Sequence, residues 1–339
     1  MASELILILA DFFSRGGDTQ GDSAPPRLPA LETLLATARR DPLAQGWRSA
    51  FAWRFGGPEL AALAPAAVVA LADLDSRAQP ATQYWLATPV HWFAGLDSVH
   101  LHPAGLLQLP AASQAALVAD FSRVFGDAPW RLHAIGAREL LLSGAALAAG
   151  AEDPAQFVGR DMGAGLPRGA AAATLRRLGA EIEMWLHGHR INLERQASGE
   201  LPVSALWLWG ALTPATPGEP ARALAMLAHA GRFYGRDTYA EALWRLRAGR
   251  AEAVPEDFQS MARSDGATDV VLYPTLGADG LSAALQRFEQ RWLTPAMQAL
   301  RARELSVIEL LAGSHAYRLS RLNLARFWRK RSAWWESLA

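Results

Sequence analysis

The chain has 339 residues, of which 51% are hydrophobic and 19% charged, and its 33 basic residues balance its 33 acidic residues. Such a length is sufficient for a large core and is typical of about two domains, while a neutral chain has no global attraction to nucleic acid or to anionic membranes. There is no cysteine, which excludes disulfides, thiolate nucleophiles and cysteine-ligated zinc or iron–sulfur sites.

No stretch of the sequence predicts a membrane span or an export signal. The N-terminal apolar run, residues 5–10, is too short for a signal-peptide core and no basic residue precedes it. No run of about 18 uncharged apolar residues occurs later. We therefore expect a soluble, cytoplasmic protein that has no membrane span and no nucleic-acid partner.

The first region predicts a buried strand followed by a long loop. Residues 4–10 form a Leu/Ile-rich run typical of a parallel strand, and Asp11 follows it directly. Ligands of open α/β sheets bind beyond the carboxyl ends of strands, so Asp11 stands where site residues are expected, although a turn or capping role is equally compatible. The Gly/Pro-rich residues 14–29 predict a loop, and residues 28–40 have apolar positions at helical spacing.

From Glu59 onwards the pattern is that of a separate α+β module. Short strands are predicted at residues 84–87, 98–102, 130–135 and 139–142, and helices at residues 60–71, 114–125 and 170–187.

Two histidine pairs occur at spacing i, i+2, and both could be considered as metal ligands. His100 and His102 lie in a predicted strand, where residues at this spacing share a face, whereas His187 and His189 lie near a helix end, where they do not. Neither pair has a third carboxylate or imidazole at a ligand-like interval. Ordinary surface or hydrogen-bonded histidines are therefore the simpler interpretation.

Residues 187–210 are the most informative stretch, because polar residues suited to recognition lead directly into an apolar, tryptophan-rich strand. Arg190 and Arg195 carry forked donors that suit a carboxylate or phosphate, and Asn192 can both donate and accept beside them. These three residues are the predicted ligand-binding set. A structural alternative stays open, in which Arg195 pairs with Glu194 or a core acid and Asn192 caps the preceding helix.

The last third of the chain predicts two more buried strands, at residues 268–273 and 305–311. Between them, residues 282–303 predict a long helix with a kink or break near Thr294, because Pro295 lies inside it. Strands that alternate with helices favour an α/β fold with a largely parallel sheet covered on both faces.

The tail, residues 326–335, is basic and aromatic. Contact with nucleic acid or a membrane surface is one interpretation. The simpler one is a terminal element whose tryptophans dock on the core while its arginines are solvated.

Several of these segments together resemble a known family. The spacing Asn-x-x-Arg-x-x-x-Gly-x-x-Pro over residues 192–202, followed by Leu-Trp-Leu-Trp-Gly at 206–210, resembles a segment of the archaeal-type cofactor-independent phosphoglycerate mutases. These enzymes belong to the alkaline-phosphatase-like superfamily. A more specific resemblance is to a related bacterial branch, the RpfE-type regulatory proteins. Weaker similarities are found at the strand that ends at Asp11 and at residues 28–32, 84–91 and 326–329.

This resemblance implies a two-domain architecture. An alkaline-phosphatase-like α/β core, with a mostly parallel sheet sandwiched by helices, would be interrupted by an inserted, smaller α+β cap domain. The change of pattern at Glu59 and the return of buried strands after Leu201 agree with this organisation. We therefore expect a discontinuous core of residues 1–58 and 201–339, and a cap domain of residues 59–200.

The resemblance also implies a two-metal site with Asp and His ligands and a Ser or Thr nucleophile. The matching positions are Asp11, Asp269 and His315 as vestigial metal ligands and Ser49 as nucleophile. The sequence departs from the pattern, because Phe12 stands where a glycine is expected, no Asp-x-x-x-His follows the strand that contains Asp269, and Ser49 lacks a glycine-rich setting. Most of the ligands are therefore missing from their expected positions.

Two functions follow from these observations. The first is a catalytically degenerate phosphoglycerate mutase-like protein, a pseudoenzyme without a cofactor, which acts as a regulatory protein by binding a small phosphorylated or carboxylate ligand or a protein partner. The alternative is an active phosphotransferase or phosphohydrolase that depends on a divalent metal, manganese or zinc, and acts on a small phosphometabolite.

Overall fold

The structure is a computed structural model, and it describes residues 3–10, 26–43, 46–74, 82–95, 97–136, 139–211, 231–247, 249–263, 267–274, 280–326 and 328–337. The chain divides into two compact units. The first consists of residues 1–55 and 227–339, and the second of residues 56–226. Residues 14–25 of the predicted loop and the candidate ligand Asp11 lie outside the described residues.

The first unit is built around a mixed sheet. In spatial order, its seven described strands are β2 (Arg39–Pro42), β12 (His315–Ser320), β11 (Leu305–Ala312), β1 (Ser3–Leu9), β10 (Thr268–Leu272), β8 (Phe233–Tyr234) and β9 (Ala251–Glu252). β1 pairs in parallel with β10 and β11, and the pairs β10–β8 and β8–β9 are also parallel. In contrast, β12 is antiparallel to both β11 and β2. One end of the sheet therefore departs from the expected parallel arrangement.

The central strand β1 is covered on both faces, as its continuous apolar run predicts. Leu5, Leu7 and Leu9 belong to the core cluster on one face, while Ile6 lies beside Phe51 and Phe55 on the other. The described helices of this unit are α1 (Pro29–Thr37), α2 (Gly46–Ala61, which is broken at the non-helical Gly57), α7 (Thr238–Leu246), α8 (Gly280–Phe288), α9 (Thr294–Arg301), α10 (Arg321–Leu324) and α11 (Trp334–Ser337).

Two helical segments differ from their sequence predictions. The helix predicted to end at Arg40 ends at Thr37, and the following residues form the edge strand β2, whose short length and terminal proline protect the sheet edge. The break predicted near Thr294 is instead a π-helical turn, Glu289–Leu293, that joins α8 to α9. Pro295 lies in the first turn of α9, and the wider turn before it accommodates the missing N–H donor.

The second unit has an antiparallel sheet with helices, an α+β arrangement. Its described strands are β3 (Thr82–Ala94), β4 (Val99–Leu106), β5 (Arg131–Ile135), β6 (Glu139–Ala145) and β7 (Ala205–Trp209), in the order β4-β3-β6-β5 with β7 also paired to β3. The helices described here are α3 (Pro65–Asp73), α4 (Ala111–Val124), α5 (Ala172–His187) and α6 (Arg190–Ala197). Across the described residues of both units, no helix combines the length and the apolar character that a bilayer crossing requires.

β7 lies in a different sheet from the one that we expected. All five of its residues are buried, and residues 205–209 pair with residues 86–90 of β3 in the second unit. A short apolar run predicts burial but does not say which sheet buries it. The second unit, residues 56–226, is about as long as the first.

Candidate functional site

The carboxyl edge of the first unit's sheet is where its chemistry-bearing residues meet. Because β1, β8, β10 and β11 are parallel, their carboxyl ends share this edge, which is the usual ligand-binding edge of an open α/β sheet. Ser314 lies in the turn between β11 and β12, and His315 begins β12. The backbone N–H of Leu43, just after β2, donates to the Ser314 carbonyl at 2.7 Å and brings the start of α2 to the same place.

An arginine lies against the candidate ligand His315. Nη2 of Arg40 is 3.2 Å from Nδ1 of His315, and Oγ of Ser314 is 2.9 Å from the same nitrogen. The Arg40 guanidinium also lies 5.9 Å from the centre of the Tyr317 ring. Burial, and then the positive charge of Arg40, lower the pKa of His315, so its neutral form is favoured near pH 7. Nδ1 therefore acts as an acceptor for a permanently charged donor.

Ser49 lies at the same edge, in the first turn of α2. Its neighbour Arg48 donates from Nη2 to Oδ2 of Asp237 at 2.7 Å, and the Arg48 guanidinium stacks 4.7 Å from the Trp47 ring centre. Oδ1 of Asp237 accepts from the N–H of Ala240 at 2.9 Å and so caps α7. This ion pair ties the starts of α2 and α7 together and holds Ser49 in a half-buried position at the sheet edge.

The candidate ligand Asp269 lies at the opposite edge of the sheet. It is the second residue of β10, is buried, and accepts from the Arg232 backbone N–H at 3.0 Å. Asp269 is the pairing partner of Leu5 in β1, whereas His315 is level with Leu9, through Ala312 of β11. At the usual rise per strand residue, the positions of Leu5 and Leu9 are about 13 Å apart along the strand. Ligands of one ion lie about 2.0–2.2 Å from it, so Asp269 and His315 cannot bind the same ion.

Among the described residues, no group of three or more His, Asp or Glu side chains converges as a metal site would require. The described candidates Asp269 and His315 thus do not fit a shared two-metal centre.

The three residues predicted to bind a ligand are on α6 in the second unit, and they point in different directions. Asn192 is buried, and Nδ2 donates to the carbonyls of Leu186 and Val203 while Oδ1 accepts from the Val203 N–H. Arg195 donates from Nε to the Leu201 carbonyl at 2.7 Å. Arg190 is exposed.

The ion pairs of the two arginines are local. Arg190 pairs with Glu194 one turn along α6 at 3.1 Å, and both side chains are exposed. Arg195 pairs with Glu200 at 3.0 Å while its own side chain is almost covered. The structural alternative had Arg195 paired with Glu194 or a core acid, and the partner is instead Glu200. The prediction that these residues bind a ligand stays a prediction.

Replacing Arg195 with alanine is expected to lower the free energy of unfolding by about 1–2 kcal/mol, because a backbone carbonyl in a partly buried position loses its donor. The measurement is urea unfolding followed by circular dichroism, alongside binding of phosphoglycerates. An Arg195→Ala variant that keeps its stability but loses ligand binding would instead assign this residue to recognition.

The histidines of the second unit follow the spacing argument. His100 and His102 both lie against Phe93, with ring centres 5.8 Å and 6.0 Å away, so they share a face of the β3–β4 hairpin. His91 joins them 5.6 Å from His102, with its Nδ1 2.9 Å from the Pro202 carbonyl oxygen. The sequence analysis did not group His91 with His100 and His102. A signal was available, because His91 lies two residues before Phe93 in β3, and residues at this spacing share a face of a strand. His189, by contrast, caps α6.

Comparison with known proteins gives a short sequence relationship. No family model matches the chain. A stretch of 60 residues is 38% identical to the 2,3-bisphosphoglycerate-independent phosphoglycerate mutase 2 of Methanothermobacter thermautotrophicus, which corresponds to 17% of this chain and 15% of that protein. The chain is therefore similar to an archaeal cofactor-independent phosphoglycerate mutase. It spans only this small part of the relative.

Two solved structures align along most of the chain. The cofactor-independent phosphoglycerate mutase from Thermoplasma acidophilum aligns with 94% of this chain and 90% of its own, at 16% identity and a TM-score of 0.38. The PH0037 protein from Pyrococcus horikoshii aligns with 94% of this chain and 87% of its own, at 12% identity and a TM-score of 0.44.

Proposed function

We propose that this chain is a phosphoglycerate mutase-like protein with a degenerate metal site, which acts as a regulatory protein of the RpfE type by binding a small phosphorylated or carboxylate ligand. The observation that carries the proposal is the contact between Arg40 and His315 at the carboxyl edge of the sheet. A protein partner is the second kind of ligand that this function would allow.

The contact favours an anion over a metal ion for electrostatic reasons. A metal-ligating imidazole offers one nitrogen lone pair to a cation, and its other ring N–H donates to a carboxylate, a backbone carbonyl or water. At His315, the guanidinium of Arg40 occupies Nδ1 and places a permanent positive charge beside the ring. A second cation at this position would be repelled, whereas a phosphate or carboxylate would find the forked donors of an exposed arginine.

One observation favours the alternative of a metal-dependent phosphotransferase or phosphohydrolase. Ser49 lies in the first turn of a helix at the carboxyl edge, where backbone N–H groups and the helix dipole stabilise a phosphate or an attacking oxyanion. In that case manganese or zinc would have to be held by ligands other than the pair Asp269 and His315.

Metal analysis of the purified protein and a thermal-shift screen would separate the two functions. We expect no stoichiometric manganese or zinc, and a melting temperature that rises with the concentration of a phosphoglycerate or a related anion. The Arg40→Gln variant should lose this response. Arg39→Gln is the matched control, because Arg39 is the adjacent exposed arginine and pairs with Asp41 at 3.0 Å.

Two results would contradict the proposed function. Tight binding of two metal ions per chain, with phosphatase activity that depends on them and disappears in Ser49→Ala, would establish the alternative. If every anion raised the melting temperatures of the Arg39→Gln and Arg40→Gln variants equally, the ligand site could not be at the carboxyl edge of the sheet.

A further inference from the structure

The C-terminal part of the first unit concentrates positive charge in a chain whose overall formal charge is zero. Residues 313–335 contain six Arg or Lys residues and no Asp or Glu. Arg318 is neutralised by Glu4 and Glu309, at 3.0 Å and 3.3 Å. Four exposed basic residues of this segment form no ion pair with any described part of the chain: Arg321, Arg329, Lys330 and Arg331.

Two large apolar side chains are exposed within the same segment. Leu322 is 85% exposed and Trp328 is 70% exposed. Leu322 adjoins Arg321 in α10, and Trp328 directly precedes the basic run 329–331. We call these six residues the C-terminal patch: Arg321, Leu322, Trp328, Arg329, Lys330 and Arg331.

Contacts on both sides of the patch attach it to the body of the first unit. At its start, the side chains of Ser320 and Asn323 form a capping box at α10. Beyond its end, Trp334 is buried and its Nε1 donates to the Pro26 carbonyl at 2.8 Å. Arg329 itself donates from Nη1 to the Ala36 carbonyl at 3.3 Å. The tryptophan docking expected for a terminal element therefore applies to Trp334, whereas Trp328 is held at the surface.

We propose that the C-terminal patch binds the surface of an anionic lipid membrane. Arginine and lysine side chains complement phosphate and carboxylate headgroups, and an indole ring is best placed at the interface between headgroups and acyl chains. The exposed aliphatic side chain of Leu322 favours a membrane over a nucleic acid as the anionic partner. Lipid acyl chains can cover this side chain, whereas the phosphate backbone of a nucleic acid cannot. This binding is independent of the ligand site at the carboxyl edge of the sheet.

The strength of the interaction follows from the composition of the patch. Each Arg or Lys close to an anionic membrane raises the partition constant by about fivefold. The attraction falls off within a Debye length, so membrane binding should be reversible and should weaken strongly as salt is raised.

The test is sedimentation of the full chain with phosphatidylcholine vesicles that contain or lack phosphatidylserine. The unmodified protein should bind only the vesicles with phosphatidylserine. The triple variant Arg329→Gln, Lys330→Gln, Arg331→Gln should bind about 100-fold more weakly. The double variant Leu322→Ala, Trp328→Ala should bind about 10-fold more weakly, because its apolar contacts with the membrane are removed.

Matched control variants remove equivalent groups elsewhere on the surface. Trp53→Ala removes a tryptophan that is 61% exposed in α2, and glutamine replacements at Arg160, Arg168 and Arg176 remove three exposed charges of the second unit that form no ion pair with the described residues. Both controls should bind vesicles as the unmodified protein does. Thermal melting checks that every variant is folded, and the charge variant still tests the proposal if the apolar variant does not fold.

Three results would overturn the proposal. The first is no sedimentation with anionic vesicles at low salt, and the second is an equal loss of binding in the patch and control variants. The third is binding to RNA or DNA that depends on the patch in the absence of vesicle binding, which would assign the surface to nucleic acid.

Discussion

Replacing Asn192 with alanine should destabilise the second unit by about 3–4 kcal/mol, because it leaves buried backbone groups without partners. Nδ2 of Asn192 donates to the carbonyl oxygens of Leu186 and Val203 at 2.8 Å and 2.9 Å, and Oδ1 accepts from the Val203 N–H at 2.7 Å. The side chain thereby fastens the end of α5 to the segment that enters β7. In the variant, both polar backbone groups of Val203 lose this partner in a buried position.

Urea unfolding monitored by tryptophan fluorescence and circular dichroism would measure this effect. The control is Arg190→Ala on the same helix, which removes an exposed ion pair with Glu194 and should change the unfolding free energy by less than about 0.5 kcal/mol. Asn192→Asp should destabilise at least as strongly at pH 7, since the buried carboxylate accepts from Val203 but cannot donate to the two carbonyl oxygens that face it. Unchanged stability of Asn192→Ala combined with lost anion binding would show that Asn192 acts in recognition.

The location of Asn192 changes what the resemblance to phosphoglycerate mutases conveys. Contacts inside the second unit account for the spacing of Asn192, Arg195 and the following Trp-x-Trp strand. The side chains of Asn192 and Arg195 both donate hydrogen bonds to backbone carbonyls of this unit. A segment that requires this packing retains these residue types whatever its ligand. The motif therefore reports the local architecture more directly than it reports phosphate chemistry.

The buried strands of the first unit could be predicted from the sequence, but not all of their pairings. Continuous apolar runs mark β1, β10 and β11, because each is covered on both faces. β12 was missed because its sequence shows neither a continuous apolar run nor a strict alternation, since the neighbours Ala316 and Tyr317 are both buried. A signal was available, because only Gly313 and Ser314 separate it from β11, and a two-residue turn with a glycine in the left-handed region, here φ 58°, is typical of a hairpin.

The candidate site could be predicted only where it follows strand ends. His315 was expected at the carboxyl edge because it comes shortly after β11. Asp269 is the second residue of β10, so it lies at the opposite edge of the sheet. The contact of Arg40 with His315 joins residues 275 positions apart and requires β2 to pair with β12. The sequence gives residues 39–40 a helical pattern, so neither the strand nor the contact could be inferred from it.

A second large effect is expected at Glu289, a buried carboxylate in the π-helical turn between α8 and α9. Its oxygens accept from the backbone N–H groups of Ala30 at 2.6 Å and Leu31 at 3.0 Å, and so cap the start of α1. Leu28, the residue at the cap position, has no side-chain oxygen to do this. Glu289→Ala should lower the unfolding free energy by about 2–4 kcal/mol, since both N–H groups lose their acceptor and a cavity forms.

The pH dependence of this cap distinguishes it from its neighbour Glu32. Burial, with a smaller contribution from the charge of Glu32, raises the pKa of Glu289 above its ordinary value of 4.5, although the two N–H groups oppose the shift. An acid with a raised pKa in the folded state loses stability as the pH rises from its unfolded pKa through its folded pKa. Glu289→Gln has no such titration, so its stability relative to the unmodified protein should be higher at pH 7 than at pH 4.5.

Glu32→Gln provides the matched comparison, because its sign is opposite. The hydrogen bonds from Arg27, at 2.6 Å and 2.7 Å, lower the pKa of Glu32 below 4.5 despite burial. Its ion pair therefore stabilises the fold above pH 4.5 and is lost as the pH falls through the lower, folded pKa. Glu32→Gln should be destabilised at pH 7, and the difference should shrink below pH 4.5. If the stabilities of Glu289→Gln and Glu32→Gln, relative to the unmodified protein, changed with pH in the same direction, then burial would not raise the pKa of Glu289.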